Sequence, residues 1–78
     1  MNEQQQQQNK MEDLLIEEKA LKHYAEHLKR NILGVPYMKE SQAGKDLIKE
    51  SLEIMLKRTE SLRQTKTHQI LHYENIHG

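Results

Sequence analysis

Aliphatic side chains recur at alternating steps of three and four in two separate stretches of this chain, and a short segment holding Gly34, Pro36 and Gly44 divides them. The first stretch is Met11, Leu14, Leu21, Ala25, Leu28, Ile32 and Val35, broken only by Glu18. The second is Ile48, Leu52, Met55, Thr59 and Leu62. Steps of three and four place side chains on one stripe of a helix. The spacing therefore predicts two amphipathic helices folded back on each other through the glycine- and proline-containing connector. Each stripe must be covered by its sister, by a second copy or by a foreign helix.

At 78 residues the chain has room for one domain, and a chain this short buries too little of its surface to hold much stability in reserve. Aromatics make up 4% of it, all tyrosine, so the core is expected to be aliphatic and thin. A partner that covers the rest of the stripe would add to its stability. Twelve basic residues balance twelve acidic ones and are interleaved with them, which argues against a nucleic-acid partner. The absence of cysteine removes disulfides and thiolate metal sites and points to a reducing, cytoplasmic setting. No apolar run has the length of a membrane span, and no signal-peptide core is present near the N-terminus.

Three segments are expected. Residues 1–9, with the run Gln4 to Gln8, read as a disordered polar tail or a frayed extra turn, because they offer no apolar surface to offset ordering. Residues 10–68 hold the helical hairpin. Acidic side chains near its start and Lys29 and Arg30 near the first helix's end suit the helix dipole. Gly34 is expected at the left-handed position that closes the first helix, with Pro36 just beyond. The second helix starts either with Pro36 in its first turn or, as the period favours, near Lys45 after a Ser41 cap, and runs to about Thr67. Residues 69–78 follow as a frayed extension or a short third helix. The expected fold is all-α: an antiparallel hairpin that either dimerises into a four-helix bundle or packs its tail as a third helix.

Little in the chain suggests a reaction. His23/His27 and His68/His72 have the i,i+4 spacing that lets two imidazoles reach one metal ion, but two ligands do not make a site, and HYAEH lacks the Glu that a metalloprotease helix carries after its first His. No metal or cofactor is expected from them. The acidic and basic residues read as solvent-facing i,i+3 and i,i+4 ladders, and no serine or threonine has a base set beside it by a recognisable motif. Non-catalytic binding is the expected function, with homodimerisation and histidine-dependent metal binding as the alternatives. Ile54 and Leu56 on the second helix, and Leu15 and Tyr24 on the first, lie off the strict stripe and widen the apolar arc. A third amphipathic helix fits such an arc, and so does the core of a dimeric bundle.

Ala20-Leu21-Lys22-His23-Tyr24, followed by Val35, Tyr37 and Ile48 and then by Met55 to Arg63, resembles the second and third helices of MIT (microtubule-interacting and transport) domains. Those domains carry A-L-x-x-Y and Y-L-x-R-A-E-x-L-K elements there. Here Met55 and Thr59 stand in place of the usual Tyr and Ala, and the family's first helix has no counterpart. The resemblance implies a non-catalytic adaptor that takes up short helical motifs in a groove between helices two and three. It makes Leu56 the apolar floor, Glu60 an acidic contact and Arg63 a basic one. Together with Leu52 and Thr59 on the same helix, these form the expected partner-binding set.

Overall fold

The computed structural model describes residues 3–77, with side chains described over 9–76. Helix α1 spans Glu3–Gly34, a 3₁₀ turn covers Val35–Tyr37, and helix α2 spans Gln42–His77. The two helices pack against each other as an antiparallel hairpin with extents of 58 × 16 × 15 Å, and there is no strand among the described residues. The fold is all-α, as the two periodic stretches imply.

α1 starts at Glu3, so the glutamine run lies within the helix, the second of the two arrangements expected for residues 1–9. Glutamine is a good helix former and no Pro or Gly interrupts the run, so the backbone has no reason to leave the helix. Met1 and Asn2 of that tail, and Gly78 of the C-terminal extension, lie outside the described residues. At the other end α2 continues to His77, so residues 69–77 extend the second helix and do not form a third.

The connector differs from expectation at Gly34. Its φ is −81° and its ψ −14°, and no described residue has positive φ. α1 passes directly into the 3₁₀ turn, so no left-handed residue is needed to stop it. The Met38 N–H donates to the Val35 carbonyl at 3.1 Å, and Pro36 sits where a missing N–H costs nothing. Lys45 Nζ reaches back to the Pro36 carbonyl at 3.0 Å and ties the turn to α2. Ser41 does cap the second helix, its Oγ accepting from the Gly44 N–H at 3.1 Å, but the helix begins at Gln42, three residues ahead of Lys45. Gly44 falls in the first turn, where its low propensity is offset by that cap.

The seam on α1 follows the sequence pattern without a break. Leu14, Ala25, Leu28 and Val35 are buried, and Met11, Glu18, Leu21 and Ile32 are half-buried between them. On α2 the pattern shifts. The inward residues are Ile48, Leu52, Leu56, Thr59, Arg63, Lys66, Ile70 and Tyr73. Strict alternation from Leu52 would bring in Met55 and Leu62; instead one extra step of four carries the seam from Leu52 to Leu56. Met55 and Leu62 are left 40% and 50% exposed. A straight helix falls behind a seven-residue repeat by about 20° per heptad, and a step of four in place of three restores the alignment. The shift draws Leu56 and Ile70 inward and delivers Arg63 to Glu18 of α1, while Lys66 faces inward in either phase.

Candidate interaction surface

Those two cations explain the break in the first stripe. Glu18 occupies a seam position, and Arg63 Nε donates to its Oε1 at 2.7 Å. Lys66 pairs with the neighbouring Glu17 along one edge of the seam. Lys29 meets Glu60 at 3.7 Å along the other edge, where both side chains are at least half exposed. Thr59 is buried, and its hydroxyl is satisfied by donating to the Met55 carbonyl at 2.7 Å. With Ala25 also buried, the middle of the seam is built from small side chains.

The expected partner-binding set is divided between the seam and its edge. Leu52 and Leu56 are half-buried in the seam, Thr59 is buried, and Glu60 and Arg63 form ion pairs with α1. Leu56, read as lying off the stripe, is part of it. The groove along the Lys29–Glu60 edge is lined by Lys22, Glu26, Glu60, Gln64 and His68, with Leu71 as its large apolar side chain.

The apolar surface lies on the opposite side. Leu47, Ile54, Met55 and Leu62 are 67%, 60%, 40% and 50% exposed, and with Ser51 and Arg58 they make a continuous strip on α2 at helical spacing. Tyr24, 42% exposed, stands at the edge of α1 that also holds Glu17, whose pair with Lys66 marks the same side of the hairpin. The strip spans Leu47 to Leu62, about 22 Å along the helix at 1.5 Å per residue. Large apolar side chains left in water next to one another are the kind of surface from which contacts between proteins are built. The signal was present in the sequence as Ile54 and Tyr24, but a strict heptad assigned Met55 and Leu62 to the seam and divided the strip.

His68 and His72 line one cleft with Asp13 and Glu17 at the open end of the hairpin. His27 Nε2 lies 3.2 Å from the Asn31 amide, and His72 packs edge-on against Tyr73. Among the described residues no group of three or more His, Asp or Glu side chains is placed to hold a metal ion. No described helix is long and apolar enough to cross a membrane. Comparison with family models, characterised proteins and solved structures finds no match to this chain.

Proposed function

We propose that this chain is a non-catalytic protein-interaction module that associates with another amphipathic helix along the Leu47–Leu62 strip. The observation that carries this reading is the four-residue step at Leu56. That step satisfies the seam with other side chains and leaves Leu47, Ile54, Met55 and Leu62 outside it. Anchors at this spacing match the helix-in-groove mode of recognition. The MIT-like groove would need Leu56, Glu60 and Arg63 free for a ligand, whereas α1 already engages each of them. The proposed surface therefore lies about a quarter-turn round α2 from the seam.

Site-specific photocrosslinking tests the reading. A benzophenone amino acid in place of Ile54, in cells producing the chain, should capture a protein, either a second copy or another chain. The same group in place of Gln64, on the polar side, should not. Equal products at both positions, or none at either, would refute the assignment.

A further inference from the structure

We infer that the occupant of the strip is a second copy of this chain, related by a two-fold axis that passes between Ile54 and Met55 and runs α2 antiparallel to its counterpart. The inference rests on the interaction-module reading and names its partner.

Reversal is what singles out self-association. About a point between Ile54 and Met55, the strip maps onto itself: Leu47 falls opposite Leu62 of the second copy, Ile54 opposite Met55, and Ser51 opposite Arg58. All six strip residues find a counterpart within the strip, as a two-fold interface requires of a surface that is its own complement. Four of these contacts join apolar side chains. The other two place a serine hydroxyl, which accepts hydrogen bonds, against a guanidinium, which donates them.

Charge at the rim agrees with this register. Glu50 and Lys57 are exposed on the same outer edge of α2, away from α1. In the antiparallel register each comes within two positions of its opposite in the second copy, which forms two symmetry-related ion pairs. Neither is committed to any ion pair within the hairpin among the described residues. Lys49 and Glu53, which do pair with each other, lie on the other side of the helix. The chain carries no net charge, so two copies approach without mutual repulsion.

The angle fits as well. At 100° per residue the centre of the strip lies about a quarter-turn from the centre of the seam. A second hairpin docked on the strip therefore sets α1, α2 and their two counterparts at the corners of a square, the cross-section of a four-helix bundle. Tyr24, on the strip side of α1, then faces the interior of that square.

The register can be tested by charge exchange in the full chain, with sedimentation velocity as the readout and circular dichroism to confirm that each variant stays helical. Leu47→Glu alone and Leu62→Lys alone should each weaken the dimer by about a hundredfold or more, because each change occurs twice at a two-fold interface. Leu47→Glu/Leu62→Lys in one chain should recover at least about tenfold of that loss, since opposite charges now meet across the axis. A dimer indifferent to the single changes, or a double variant no better than the singles, would overturn the proposed register and interface. A wild-type chain that stays monomeric at millimolar concentration would exclude the second copy as occupant. If crosslinking from position 54 then still captured a different protein, the module reading would stand without self-association; if it captured nothing, both would fall.

Discussion

Glu18 and Arg63 meet within a seam built mostly of aliphatic side chains, and separating them has a calculable cost. The pair is 2.7 Å apart, with side chains 22% and 39% exposed. It thus sits between freely solvated pairs, worth about 0.2–1 kcal/mol, and fully buried pairs, whose disruption costs about 3–5 kcal/mol. A hydrogen bond to a charged group contributes about 1.5–3 kcal/mol. Discounting for the water that reaches Arg63 leaves about 1 kcal/mol of coupling. Urea unfolding followed by circular dichroism on the wild type, Glu18→Ala, Arg63→Ala and the double variant closes the cycle. Each single change should lower Tm by about 4–8 °C, the shift that 1 kcal/mol produces in a domain of this size. The coupling should shrink, without vanishing, when salt is raised from 50 to 500 mM, a range chosen on the order of the change in Debye length. A coupling below about 0.3 kcal/mol at low salt would mean that the pair does not form in the seam, and the four-residue step that brings Arg63 inward would lose its support.

Leu28, 2% exposed, is the largest fully buried side chain, so Leu28→Ala should cost about 2–5 kcal/mol. Against roughly 4–12 kcal/mol for the whole chain, a thermal melt should show a fall in Tm of more than about 10 °C. Gly34 has helical dihedral angles and open space where a Cβ would stand, so Gly34→Ala should raise stability by about 0.5–1 kcal/mol in the same melt. Leu56→Ala and Met55→Ala should separate by concentration: the first should lower stability by about 2 kcal/mol at every protein concentration, and the second chiefly where the chain self-associates. The reverse order would restore the strict heptad.

Periodicity made the hairpin legible because α1 keeps one repeat from Met11 to Val35 interrupted only at Glu18, and because Gly34, Pro36 and Ser41 cluster where the chain turns. Ser41 was readable as a cap from its residue type alone. Gly34 was not readable as a helical residue, since glycine permits both hands and only the following 3₁₀ turn selects one. The seam on α2 resisted for a different reason. Met55 and Leu56 are adjacent and both apolar, so pattern alone cannot say which turns inward. The phase with Leu56 inward is the one that brings Arg63 to Glu18 of the facing helix, whereas Lys66 meets Glu17 in either phase. A contact between residues 45 positions apart thus accompanies the local phase. The partner-binding set took Leu56, Glu60 and Arg63 from the family resemblance, and the exposed strip follows only once the phase of the seam is fixed.

The most direct check of the account is whether one molecule closes on itself. The chain has no cysteine, so Lys10→Cys/His72→Cys supplies a unique pair of spin-label sites. Both residues line the same cleft at the open end of the hairpin. Labelled protein diluted in unlabelled protein reports distances within one chain by pulsed electron paramagnetic resonance. With helix axes about 8–10 Å apart, the label separation should fall below about 25 Å. A chain opened into one continuous helix would place them about 93 Å apart. A distribution centred beyond about 50 Å, far past the reach of paired helices, would contradict the hairpin, its stepped seam and the strip that the seam leaves exposed.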